Sequence, residues 1–434
     1  EVRLTRDGGE ERLNGRLDWV YDEEVFGRGT RRAFWWSPDS RLLAFLQLDT
    51  SKVPTHLLMD DRTQPQKQVP IRYPKAGDPN PVARLGIVDL QGTLGWMEDP
   101  YPGQETLVVQ VGWDPQNRLL AAYQDRMQSW LELRRFEGAR GRSLVLEKGG
   151  AWQDRLPLPV FLKDGGFLWL SDRTGYRHIY RCDGEGKVLR QVTDGPWDVR
   201  TLHGAEPPRT GKEGRNRAVY FSGTLRGSLG LDAFSAALDG KAPNARMTRL
   251  TERPGTHSVT FAKNLGAFLD RWSDASTPAQ TAVLGADGKL IRAVDGGQPL
   301  SFPGTLGTTR FQKVRTRDGV ELETQLILPP GFDAKQKYPV IQSVYGGPHT
   351  PQVRDGLRPG GDWTNYHFLA NKGYIVFLVD PRQPDELGLC SGSGRAGDKT
   401  KDAAPVSGEA LAAWLDERDQ KERPFFAVIN MMEA

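Results

Sequence analysis

Glu23 and Glu24 are adjacent carboxylates, an arrangement that repels itself and that an ammonium ion relieves while forming charge-assisted hydrogen bonds. A blocked or neutral amine offers no such relief. Neighbouring side chains on a flat strand point to opposite faces, so the pair converges only if residues 22–26 leave strand geometry as a short helix or turn. Without a motif around it, an acidic pair of this kind reads as solvated surface. Nucleophilic chemistry is less well provided for. The serines near the C-terminal end sit in Gly388-Leu389-Cys390-Ser391-Gly392, Cys390-Ser391-Gly392-Ser393-Gly394 and Ser407-Gly408, none of which has the Gly-x-Ser-x-Gly spacing of a nucleophile elbow. The six histidines are His56, His178, His203, His257, His349 and His367, so no base follows any of these serines. Cys182 and Cys390 are too few for a disulfide framework or a zinc site and leave the redox compartment undecided.

The elements that would position these groups are mostly strands. Up to about residue 340 the chain runs in short β-branched or aromatic stretches closed by Gly, Pro, Asp or Asn, among them Ala33–Trp36, Leu42–Leu48, Leu107–Val111, Phe167–Leu170, Ala218–Phe221 and Ala267–Leu269. The segment from Ser37 to Phe45 is echoed from Asp114 to Ala122. A fainter unit of turn and strand recurs at Lys163–Gly166, Glu213–Asn216 and Lys263–Gly266, which are 50 residues apart. A tight turn followed by an aromatic-rich strand at that period suits a four-stranded propeller blade, and about five such units are present. A β-sandwich is the alternative. Tyr73–Pro81 is a Pro-rich loop. Beyond Arg310 the texture changes: strands at Glu321–Leu328, Tyr338–Tyr345 and Gly373–Asp380, with a helix at Trp363–Lys372, indicate the start of an α/β domain.

Lys and Arg number 58 against 55 Asp and Glu, interspersed along the chain, so no basic stripe marks a nucleic-acid partner. The longest apolar stretches, such as Gly373–Val379, are far short of the ~20 residues needed to span a bilayer. No membrane span is expected within the chain.

Asp18-Trp19-Val20-Tyr21-Asp22-Glu23-Glu24-Val25-Phe26 followed by Trp35-Trp36-Ser37-Pro38-Asp39 closely resembles the signature of the dipeptidyl peptidase IV family in the prolyl oligopeptidase clan. Tyr73–Pro81, Gly175–Tyr180, Leu328–Phe332, Tyr338–Val340 and Val344-Tyr345-Gly346-Gly347-Pro348 agree in the same order, so that the resemblance covers about residues 1–382. It implies an eight-bladed β-propeller capping an α/β-hydrolase that removes N-terminal dipeptides, usually after Pro or Ala, without a cofactor or metal. Relatives are often homodimeric and extracytoplasmic. By position, Glu23 and Glu24 would grip the free amino terminus of the substrate peptide. Tyr345 would donate its hydroxyl to the oxyanion of acyl transfer, a kind of contact worth ~2.7–4 kcal/mol in the transition state. The expected fold is mainly β: an incomplete propeller over 1–308, the first strands of an α/β-hydrolase over 309–382, and an unrelated tail over 383–434.

The resemblance stops after Asp380-Pro381-Arg382, where Gln383-Pro384-Asp385-Glu386 replaces the family's Gly-rich continuation. In this clan Ser, Asp and His all follow that point, so the chain is expected to be inactive although its clamp and oxyanion donor remain. The tail predicts a helix over Lys399–Arg418 and a strand over Phe425–Asn430, and it resembles an internal piece of the sulfatase family. It lacks that family's Cys-x-Pro-x-Arg motif and an identifiable set of metal ligands. The junction suggests a recombined or misassembled reading frame in which neither half completes its own sheet. Glu1–Asp18 resembles the close of a blade, from which two to three missing blades and exposed strand edges are expected. Three functions compete: part of a serine exopeptidase, a non-enzymatic propeller that binds peptides or proteins, and a fusion whose tail recruits a partner.

Overall fold

The computed structural model describes residues 3–148, 152–205, 217–317, 319–345, 351–357, 360–380 and 426–430. The chain divides into two compact units, one of residues 1–169 and 181–189 and the other of 170–180 and 190–434.

In the first unit, β1 (Arg12–Asn14) and β2 (Phe34–Trp36) both pair with β3 (Leu42–Asp49). Arg12–Asn14 lies opposite Asp49–Gln47, and Phe34–Trp36 opposite Phe45–Leu43. An antiparallel ribbon, β4 (Thr55–Asp60) with β5 (Lys67–Arg72), follows before β6 (Val82–Asp89) pairs with β3 and β7 (Leu94–Trp96) completes the sheet. The next sheet is a meander of β8 (Thr106–Trp113), β9 (Leu119–Asp125), β10 (Trp130–Glu137) and β11 (Arg140–Lys148). The two echoed segments form equivalent turns. Ser40 and Asn117, fourth in each, take left-handed φ values of 60° and 59°. The Asp39 N–H donates to Asn117 Oδ1 at 3.1 Å, so the repeats also touch. Leu119–Gln124 is buried at every position, and burial without alternation means that both faces of β9 are covered. Tyr21, Leu46, Leu48, Leu119, Leu120 and Leu131 are the fully buried heart of this unit.

A third sheet, β12 (Val160–Phe161), β13 (Phe167–Ser171), β14 (His178–Cys182) and β15 (Val188–Gln191), has residues in both units. In the second unit follow β16 (Val199–Ala205), β17 (Ala218–Gly223), β18 (Asp232–Ala237) and β19 (Thr248–Arg249), then β20 (Thr256–Phe261), β21 (Ala267–Ser273), β22 (Gln280–Gly285) and β23 (Leu290–Asp295), each set one sheet. Five sheets, the last four made of consecutive strands in order, give the blade pattern; a sandwich would send strands across to a facing sheet. The expected turn at Glu213–Asn216 lies outside the described residues.

The α/β region opens with β24 (Thr308–Arg315) and β25 (Glu321–Leu328), followed by β26 (Val340–Val344), α1 (Gly361–Asn371) and β27 (Ile375–Val379). Val314, Leu326, Phe377 and Val379 pack on one face of the sheet, and Ile327, Val376, Tyr366 and Ala370 on the face that α1 covers. Gly373 at φ 88° ends the helix, its N–H donating to Ala370 O at 3.0 Å.

The tail corrects one expectation. Phe426–Asn430 forms β28, which pairs in parallel beside β26 with Val428 opposite Gln342, giving the order β24-β25-β27-β26-β28. The two segments therefore share one sheet, because an apolar strand satisfies an open edge by its backbone whatever its ancestry. The expected helix over Lys399–Arg418 lies outside the described residues. Val428→Pro removes a ladder donor and clashes with the pairing. Hydrogen exchange at the β26 amides facing β28 is expected to speed up about two- to tenfold, the scale of one net hydrogen bond at ~0.5–1.5 kcal/mol; unchanged exchange would show that β28 does not hold this edge.

Candidate functional site

β1 and β2 are two halves of one edge strand, interrupted where the chain departs and returns. Gly15 N–H donates to Leu46 O (2.9 Å), Leu46 N–H to Ala33 O (2.9 Å) and Ala33 N–H to Gly15 O (3.0 Å). Residues 16–32 thus form an excursion whose ends close on a single residue of β3. Its first part is a π-helical turn, Tyr21–Val25, closed by Phe26 N–H to Tyr21 O at 2.8 Å.

Several residues of the motif hold that turn. Asp18 caps it, its carboxylate accepting from the Val20 N–H (3.2 Å) and the Tyr21 N–H (3.1 Å). Trp19 lies on Tyr73 with ring centroids 4.3 Å apart, which ties the Pro-rich loop to the turn. Tyr21 is wholly buried and its hydroxyl accepts from the Val108 N–H at 3.2 Å. Phe26 packs on Tyr21 and Trp35. Arg155 donates to Val25 O at the end of the turn and lies over the Phe26 ring.

The turn satisfies the geometric condition on the acidic pair. Successive side chains of an α-helix are ~100° apart and a π turn is wider still, so Glu23 and Glu24 leave on neighbouring directions of one turn instead of opposite faces. Their surroundings differ. Glu23 is gripped by Arg28, whose Nε donates to both carboxylate oxygens (2.8 and 3.0 Å) and whose Nη2 lies 2.6 Å from Oε1. The Arg28 guanidinium holds the Glu23 carboxyl below the usual range. Glu24 is exposed, with no hydrogen bond or ion pair of its side chain among the described residues. Asp22 Oδ1 is buried without a donor, and burial raises the capping carboxyl of Asp18.

Tyr345, in the second unit, follows the C-terminal end of parallel strand β26 and is half-buried; the residues after it, 346–350, lie outside the description. Asp380, just past β27, was not singled out by the sequence. Its two oxygens accept the N–H groups of Gln352 (2.7 Å) and Val353 (2.9 Å), fixing the chain downstream of Tyr345. Asp355 then ties that segment to the last blade: its carbonyl accepts from Thr256 Oγ1 (2.7 Å) and its carboxylate from the Ala275 N–H (2.9 Å).

None of the described histidines makes a hydrolytic base. His178 is a buried structural residue, bonded to Thr193 Oγ1 and Gly195 O. His203 Nε2 meets Ser222 Oγ at 2.8 Å, but Ser222 is buried in a blade strand, and burial pushes His203 down to about 4. His257 Nδ1 faces both oxygens of Asp270 at 2.9 Å, yet its Nε2 is occupied by Arg253 O. His367 is packed against Trp363 and accepts the Gly307 N–H. Ser391, Ser393, Ser407 and His349 lie outside the described residues. No group of three or more His, Cys, Asp or Glu suited to a metal occurs among the described residues, nor a helix long and apolar enough to cross a membrane.

Residues 1–279 match the family model for the dipeptidyl peptidase IV N-terminal region. A protein of Tuber melanosporum described as "Probable dipeptidyl-aminopeptidase B" is 29% identical over 89% of this chain and 45% of its own length. Dipeptidyl-aminopeptidase B of Aspergillus niger is 28% identical over 92% of this chain and 46% of its own. The chain thus spans about half the length of these relatives. The crystal structure of Porphyromonas gingivalis dipeptidyl peptidase 4 superposes with a TM-score of 0.77 at 24% identity, over 94% of this chain and 58% of that one, and shares its fold.

Burial raises Asp380 from 3.8 to about 6, so across that interval the folded protein keeps a proton that the unfolded chain releases. The contribution of this group to stability is full below the interval and falls as pH rises through it. The difference in unfolding free energy between wild type and Asp380→Asn, from urea titrations, is expected to change between about pH 4 and 6 and to level off above 7; a flat difference across that interval would remove the assignment.

Proposed function

The chain belongs to the dipeptidyl peptidase IV family, and from that premise we propose that it captures the free amino terminus of a peptide at Glu23 and Glu24 without hydrolysing it. The observation that supports this reading is the capped π turn, which carries Glu23 and Glu24 on successive positions of one turn and leaves Glu24 without a cation among the described residues. An ammonium group has three N–H donors and a full charge to offer such a pair, whereas an acetylated terminus has one N–H and none.

The position of Tyr345 at a strand end suits an oxyanion donor, in keeping with chemistry at the carboxyl ends of parallel strands. These 434 residues hold no Gly-x-Ser-x-Gly and no histidine after His367, so they themselves offer a bound peptide neither the nucleophile nor the base that the clan uses. The propeller over 1–308, the opening of the peptidase domain over 309–382 and a tail of different ancestry over 383–434 are the corresponding division. Association with a second copy is part of the same proposal. Leu57, Leu58, Met59 and Val69 on the β4–β5 ribbon are all exposed, and since consecutive residues alternate in face, both faces of the ribbon are apolar and open.

Calorimetric titration with Ala-Pro-Ala and with its N-acetylated form is expected to show binding only of the free amine, weakened at least about tenfold by Glu24→Gln, the loss of one charge-assisted contact. Equal binding of both peptides would overturn the clamp. A fluorophosphonate probe is expected to leave the chain unlabelled, and stoichiometric labelling would overturn the lack of turnover. Leu58→Asp is expected to shift a dimer to monomer in sedimentation velocity; a monomeric wild type refutes the ribbon contact.

A further inference from the structure

We infer that Arg28 is a built-in counter-ion of the amine site, occupying Glu23 until an incoming amino terminus displaces it and so lowering the affinity of the site; this rests on the clamp reading of Glu23 and Glu24. The guanidinium covers both oxygens of Glu23 in a fork, at 2.6–3.0 Å. In that state Glu23 has little left to offer a ligand, and Glu24 is the carboxylate that stands open. The local balance makes the same point. Asp22, Glu23 and Glu24 place three carboxylates in one turn, and Arg28 neutralises one of them.

Its backbone shows why the contact can be given up. Arg28 sits between Gly27 (φ 100°) and Gly29 (φ 86°), and a Cβ built at either glycine meets nothing within 4 Å. The turn is closed by Thr30 N–H to Gly27 O at 3.2 Å. Neither flanking glycine is packed against, and the Arg28 side chain is 69% exposed against 23% for Glu23. A pair this open is weakly held, and an ammonium bridging two carboxylates readily outcompetes it. A guanidinium forked onto one carboxylate leaves the repulsion between Glu23 and Glu24 only half relieved. The ammonium, being compact, is able to answer both.

The test is calorimetric titration of Ala-Pro-Ala and N-acetyl-Ala-Pro-Ala into wild type, Arg28→Ala, Arg28→Lys and Arg28→Gln. Arg28→Ala is expected to tighten the free peptide about two- to fivefold while leaving the acetylated one unchanged, with Arg28→Lys in between because an ammonium lacks the fork. Arg28→Gln keeps a polar head without charge and is expected to follow Arg28→Ala, which preserves the test if the alanine loosens the turn. Discrimination against the acetylated peptide in wild type together with unchanged or weaker binding in Arg28→Ala and Arg28→Gln would overturn the counter-ion role and leave the clamp standing. No discrimination in wild type would overturn both.

Discussion

A strand that leaves its sheet gives up its ladder, and the excursion over residues 16–32 is tolerated because Gly15 and Ala33 both bond to Leu46. With that closure the edge of the first sheet continues from β1 into β2 as if unbroken, and β3 keeps partners along its whole length. What lies between is free to adopt a conformation no strand allows. The π turn is one such conformation, and its stability comes from outside itself: Asp18 at its head, Arg155 at its tail, Tyr21 and Phe26 beneath it. A turn of five residues does not hold by helix propensity, since a helix this short does not repay its nucleation.

Charge in this protein follows the same division between rigid and open. Several buried carboxylates are answered by fixed donors, as with Asp114 and Arg118, Asp270 and His257, and Asp380 and two backbone amides. In the turn, compensation is partial and exposed. Glu23 has its cation on a glycine-flanked arch, and Glu24 has none among the described residues. That unanswered negative charge is what the proposed amine site has to offer a cation.

The α/β sheet shows how backbone pairing alone fills an edge. β26 exposes a ladder on the side away from β27, and Phe426–Asn430 fills it with five residues in register. Backbone pairing is indifferent to the source of a strand, whereas a catalytic elbow depends on particular side chains at a particular turn. Phe426–Asn430 supplies an element of the sheet through its backbone.

The strands were legible from the sequence because alternation and turn residues act locally: Glu321–Leu328 coincides with β25, and the echo of Ser37–Phe45 in Asp114–Ala122 reappears as two turns of matching φ. The acidic pair was legible only through its motif, together with the condition that residues 22–26 abandon strand geometry. What the sequence left open were Arg28, Arg155 and Asp380, since nothing in their residue type sets them apart from the other charges of the chain. Arg155 reaches the turn across 130 positions of sequence, and Asp380 meets Gln352 and Val353 across 28 and 27. Local pattern determines which stretches become strands and turns; which distant donor meets which carboxylate is decided only when packing brings them together, because a hydrogen bond depends on a few tenths of an ångström that no spacing in sequence encodes.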